Sequence, residues 1–287
     1  MDIRRADFAG SWYPELRSDC LKEIEELEHS AFMCPELKGR AVGGIVPHAG
    51  WYYSGLLSLS VIRCMKMGTD ADTCIIFGRH LPISGRNFMM KGGAWATPLG
   101  DLVIDSEIAE KLSNRFPFTV ETASRHEPDN TIELQLPFLK YYFPQIRILP
   151  LGLPPVAASF DIAISACEIS LAMGRKTIVL GSTDLTHYGP NYDFTPHGTG
   201  NKAVSWVKEV NDRRSRHLMV SMDAEALVAE ALRSASACCG GAAGSAIEAA
   251  RTLGASRAEE IGYYTSYDVR ADSSFVGYSG IVFYAAA

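Results

Sequence analysis

Apolar residues along this chain fall into two kinds of run. Five are short, evenly apolar and rich in β-branched residues: AVGGIVPH from Ala41, TCIIFG from Thr73, IRILPLGL from Ile146, TIVLGSTD from Thr177 and SGIVFYA from Ser279. Runs of this kind have no polar face to turn to water, so they predict strands buried on both sides. Between them apolar residues return at helical spacing, predicting helices over 18–32, 106–116, 131–143, 158–174, 202–210, 223–232 and 244–254. Ser106 ahead of Glu107 and Asp223 ahead of Glu225 supply start signals for two of them. The turn-rich stretch from Asn87 to Asp105 predicts a hairpin or an irregular excursion from the main sheet.

Strands alternating with helices over most of the length indicate an α/β sandwich, with a mostly parallel or mixed central sheet covered by helices. No linker, repeat or low-complexity segment interrupts the pattern, so a single domain over residues 1–287 is the economical reading.

Composition narrows the function classes. An apolar fraction of 47% and a charged fraction of 21% are those of an ordinary globular protein. A net charge of -6 argues against a general nucleic-acid surface, and the basic run NDRRSRH from Asn211 reads as a solvated helix face. The opening MDIRRADFAGSWYP has no apolar signal core, and no stretch reaches the roughly 18 apolar residues of a membrane helix. The expectation is a cytoplasmic protein that binds neither membrane nor nucleic acid. Seven scattered cysteines without a C-x-x-C pair predict no disulfide framework. Cys20, Cys34, Cys64, Cys74 and Cys167 read as reduced, small buried hydrophobes. Cys238 and Cys239 differ, because they lie in a glycine-rich turn that lacks the Lys-Ser/Thr of a phosphate loop.

In α/β sheets ligands bind beyond the carboxyl ends of the strands. Three predicted strands end in loops that carry a histidine: His48, His80 and His187. Imidazole is both a common metal ligand and an acid-base group. A metal held by His48 and His80 alone is under-coordinated, and Asp184, Glu133, Cys239 and His197 are candidates for a further ligand. Asp184 and His187 read either as an acid-base pair or as a helix-start cap. His29 and His217 lie in charged helical segments and are expected to face solvent. Trp12, Tyr13, Trp51, Tyr52 and Tyr53 can stack a planar ligand or pack the core.

The ordered set AGSWYP, PHAGWYYSG, TPLGDLVID, TIELQLPFL, GSTDLTHYGPNY and the Cys-Gly turn at Cys239 resembles the Memo family, from Ala9 to the last strand. That resemblance implies the fold of the catalytic subunit of class III extradiol dioxygenases. It implies a metal held by His48, His80 and Cys239, with His187 moving protons and Asp184 supporting it. Iron(II) is the implied ion, with copper and zinc as alternatives. AMMECR-type and radical-SAM proteins are the implied functional neighbours. The implied activity is metal-dependent redox chemistry on a small molecule; the alternative is a non-catalytic cavity for a peptide or partner segment, as members are linked to phosphotyrosine peptides. A metal-assisted hydrolase is a third reading. The chain departs from the family in the short GRHLPI loop and in Asp129-Asn130-Thr131, where members carry Glu-His-Ser. It also lacks the proline after the Cys-Gly pair, and Cys238 competes with Cys239 for the thiolate role.

Overall fold

All five apolar runs become strands of one mixed nine-stranded sheet in the computed structural model, which describes residues 1–35 and 39–286. Its order is His187–Tyr188, Phe275–Ala285, Arg40–Val46, Thr177–Ser182, Thr73–Gly78, Arg147–Gly152, Phe88–Met90 and Thr119–Glu121, with Ala255–Thr265 added along Phe275–Ala285. Arg40–Val46, Thr177–Ser182, Thr73–Gly78 and Arg147–Gly152 are mutually parallel and form its centre. Alternate residues serve separate cores: Ile75, Phe77, Leu149 and Val179 face one, and Cys74, Ile76, Ile148 and Ile178 face the other. Helices cover both faces, so neither side of a strand needs a polar residue, and the evenly apolar runs follow from that.

Two elements depart from the expected pattern. Trp51–Gly68 is an 18-residue helix with eleven buried residues. Wedged against the sheet, it has too narrow a polar face to show a 3.6-residue period. Ala255–Thr265 is a strand whose register slips twice against Phe275–Ala285, which obscures alternation in its sequence. The helix expected over 131–143 is divided into Asn130–Glu133 and Leu136–Tyr142, with Pro137 at the start of the second piece. The 87–105 excursion contributes Phe88–Met90 to the main sheet, while Ala94–Trp95 and Leu102–Val103 join Ile3–Arg4 in a small sheet.

The cysteine expectation fails at one pair. Cys34 and Cys64 form a disulfide, with their Cα atoms 5.4 Å apart. The chain leaving the Arg17–Ser30 helix returns along Trp51–Gly68, where the Phe32 amide donates to Ser60 Oγ and Arg63 donates to the Phe32 carbonyl. That return sets Cys34 beside Cys64. Cys20, Cys74, Cys167, Cys238 and Cys239 are free. Among the described residues no helix is long and apolar enough to cross a membrane.

The Gly240–Thr252 helix approaches the sheet closely because small residues line its inner face. A Cβ on Gly181 would come within 2.6 Å of Ala246 Cβ and 3.1 Å of the Ala242 carbonyl. Gly181→Ala should therefore force the helix outward and cost about 1–3 kcal/mol of stability, read as a lower urea midpoint at unchanged slope.

Candidate metal centre

Backbone register levels three strand ends. Val46 is level with Ser182, and Phe77 is level with Gly181, so Val46, Ser182 and Gly78 end at one height. His48, Asp184 and His80 each lie two residues beyond these positions. They therefore meet at one rim. His48 is buried, its Nδ1 lies 2.9 Å from Ser182 Oγ, and its Nε2 points at His80 Nε2, 3.1 Å away. The hydroxyl fixes the ring and leaves Nε2 free to act as a ligand.

The cysteines arrive from across the sheet. The Cys238 amide donates to the Asp184 carbonyl at 3.1 Å and the Cys239 amide to Thr183 Oγ1 at 3.0 Å, tying the turn to the rim. Cys238 Sγ lies 3.3 Å from His48 Nε2, and the two sulfurs are 3.8 Å apart. The sulfur that touches His48 is thus that of Cys238, one residue before the position the resemblance suggested. Donor atoms of His48, His80, Cys238 and Cys239 all lie within 4.8 Å of one another.

Charge is balanced inside this cluster. Burial lowers the pKa of the His48 imidazole, but Asp184 and Cys238 outweigh burial and raise it to about 9. Burial opposes ionisation of Cys238, yet the hydrogen bond it shares with Cys239 and its attraction to His48 hold the thiol well below its ordinary range. Cys239 moves the other way, pushed up by burial and by the neighbouring sulfur. Asp184, also buried, is pushed up by desolvation against the pull of His48. Two imidazole nitrogens and a thiolate-prone sulfur, facing one another with no lysine or arginine between them, have the donor chemistry of a soft or borderline metal site.

Asp184 caps no helix. One of its oxygens accepts from the His48 amide at 2.7 Å, and the other stands 3.9 Å from both His48 Nε2 and His187 Nε2. His187 opens a short strand held by buried Asp212, which accepts from the Thr186 amide and hydroxyl and from Tyr263. His187 reaches into a cleft of about 640 Å³ and meets the Tyr192 ring edge-on. His48, His80 and Asp184 also line the cleft, with Trp12, Tyr52 and Tyr53 on its wall. Tyr13 and Trp51 instead stack in the core.

The other candidates serve elsewhere. Glu133 accepts from the amides of Asp7 and Phe8 and from Tyr13 Oη, fastening the segment that carries Trp12. His197 is exposed and packs on Trp206. His126 pairs with Asp7, so it does not fill the place of the family histidine; Asn130 borders the cleft there and donates to the His48 carbonyl. His29 and His217 are exposed, as expected. The basic run is partly neutralised, since Arg216 pairs with Glu260 and Arg214 with Glu230.

Arg79 carried no signal in the sequence. Its backbone is left-handed at φ 72°, its amide donates to Thr131 Oγ1, and its guanidinium is buried against Glu121. That kink sets the direction of the chain immediately before His80, which is exposed. Left-handed conformation in a bulky residue is strained and needs such outside support.

Comparison with known proteins identifies the family and the fold. A family model described as "Memo-like protein" matches residues 4–282. A MEMO1 family protein of Pyrobaculum aerophilum is 29% identical, with 99% of this chain and 100% of that one aligned. Relatives in Pyrococcus abyssi and Methanosarcina barkeri, both named MEMO1 family proteins, are each 31% identical over 98% of this chain and 99% of theirs. Among solved structures, an uncharacterized Escherichia coli K12 protein superposes with a TM-score of 0.51 at 9% identity, covering 85% of this chain and 99% of that one, a likeness of fold.

The depressed Cys238 thiol gives a pH-dependent expectation. In metal-free protein, iodoacetamide should label Cys238 at about pH 7 while buried Cys74 and Cys167, whose thiols are pushed up by desolvation, stay unmodified. His48→Ala removes the positive partner, so the Cys238 pKa should rise and labelling should return only at more alkaline pH, followed peptide by peptide with mass spectrometry.

Proposed function

Because this chain belongs to the Memo family, we propose that its cleft is a metal-dependent redox site acting on a small molecule. The observation that supports this best is the meeting of His48 and His80, which line a ligand-sized cleft, with the Cys238 sulfur that contacts His48. Those three residues would hold the ion, with Cys239 adjoining them. Iron(II), copper and zinc all bind imidazole, and a thiolate shifts the balance toward copper(I) and zinc. A metal bound there would supply Lewis acidity or a redox couple.

The chain's own side chains do the remainder. His187, about one-third exposed at the cleft wall, exchanges a proton with the ligand at Nε2. Asp184, held in place by the His48 amide, faces that ring with its other oxygen 3.9 Å from Nε2 and orients it. Trp12, Tyr52 and Tyr53 offer flat faces for an unsaturated ligand and keep water from one side of it. AMMECR-type and radical-SAM proteins are the proposed functional partners.

The test is metal analysis of tag-free protein purified without oxygen. Wild type should carry close to one equivalent of iron, copper or zinc, His48→Ala should lose most of it, and His187→Ala should keep it. Oxygen uptake with candidate phenols should then fall at least tenfold in His187→Ala. A wild-type protein that takes up no metal yet binds a peptide in this cleft would overturn the enzyme reading in favour of a binding role.

A further inference from the structure

We propose that Asn211 and Asp212 are positioning residues for His187, fixing through Thr186 where its imidazole stands in the cleft. The inference rests on the proton-exchange reading of His187 given above. Asn211 and Asp212 open the run NDRRSRH, whose sequence suggested only a solvated helix face, yet both are buried, at 1% and 0% exposure.

Thr186 needs them because the strand ladder passes it by. The Gly277 amide donates to the Thr186 carbonyl at 3.1 Å, but the Gly277 carbonyl accepts from Leu185 at 2.8 Å instead of from Thr186. Two residues therefore oppose one, the arrangement of a β-bulge, and the Thr186 amide has no strand partner at this edge of the sheet. A buried amide in that position must find another acceptor. Asp212 Oδ1 accepts from it at 3.0 Å and from the Thr186 hydroxyl as well. Asn211 Nδ2 donates to the same hydroxyl oxygen and to the Ser234 carbonyl, each at 3.0 Å. Thr186 is thus held by backbone and side chain, and the next residue is His187.

The helix is deformed to make this contact. Val207–Asn211 is a π-turn set between Asn201–Trp206 and Asp212–Val220, and it presents Asn211 and Asp212 in succession to one target. The opposite strand leaves room, since a Cβ on Gly277 would collide with Asp212 Oδ2. That oxygen accepts from Tyr263 Oη at 2.8 Å, and Arg216 lies 3.8 Å over the Tyr263 ring while pairing with Glu260. Burial pushes Asp212 up to about 6 even with these donors in place, a cost that packing alone would not require. What the carboxylate secures is His187–Tyr188, a two-residue strand paired to Val276 and Phe275. So short a strand cannot by itself keep His187 3.9 Å from Asp184 and edge-on to Tyr192.

NMR of full-length protein labelled at histidine and tyrosine tests this, with His187 assigned from His187→Gln. Wild type should show contact between the His187 and Tyr192 rings, whose centroids are 4.9 Å apart, and between the His48 and His80 rings. Asp212→Ala should lose the first contact and keep the second, and oxygen uptake should fall on the order of tenfold through kcat at near-constant KM. Asp212→Asn, which keeps an acceptor for the Thr186 amide, should restore the His187–Tyr192 contact. Thr186→Val removes only the hydroxyl, replaces Asp212→Ala if that variant does not fold, and should weaken the same contact. A folded Asp212→Ala or Thr186→Val protein with the His187–Tyr192 contact undiminished overturns the positioning role. Full oxygen uptake in His187→Ala overturns the proton-exchange reading instead, and the ring contact still decides the role of Asp212.

Discussion

Parallel pairing in strict register is the constraint from which the rest follows. Thr177–Ser182 hydrogen-bonds to Arg40–Val46 on one side and Thr73–Gly78 on the other, and the three end level. A slip of one residue in either neighbour would flip its side chains and carry a histidine to the far face of the sheet. Apolar packing on both faces resists such a slip, since every inward residue already has a core to occupy. The same large core therefore stabilises the fold and fixes the distance between two imidazoles remote in the chain.

Those imidazoles are expensive to hold in place. His48, Asp184 and Cys238 crowd charge into a buried corner, where desolvation opposes every ionised form. The cluster is tolerable because each group is compensated by another: carboxylate and sulfur by imidazole, and imidazole by a hydroxyl. Arg79 adds strain of about 1–2 kcal/mol in its left-handed backbone, offset by Thr131 and Glu121. Such local costs gather at sites kept for function rather than for stability.

How much of this could be read in the sequence depended on whether the signal was local. Strand ends bearing His48, His80 and His187 were legible, because apolar runs followed by small or polar residues announce themselves within ten positions. Trp51–Gly68 was not, since a helix buried nearly all round has no period to detect. The choice between Cys238 and Cys239 was also out of reach: it depends on two hydrogen bonds to Thr183 and Asp184, more than fifty residues away. Nor could a sequence say that Glu133 would hold the amino-terminal segment or that His126 would be spent on Asp7, as both depend on long-range contacts.

Glu133 has one more implication, for the order in which the molecule can assemble. The wall bearing Trp12 is made first on the ribosome, yet its three hydrogen bonds wait for a carboxylate more than a hundred residues later. The cysteine turn emerges later still, after the four parallel strands at the centre of the sheet and before Ala255–Thr265 and Phe275–Ala285. A nascent chain therefore cannot bring His48, His80 and Cys238 together until its final third is emerging, so their meeting follows the folding of the sheet's centre and cannot nucleate it.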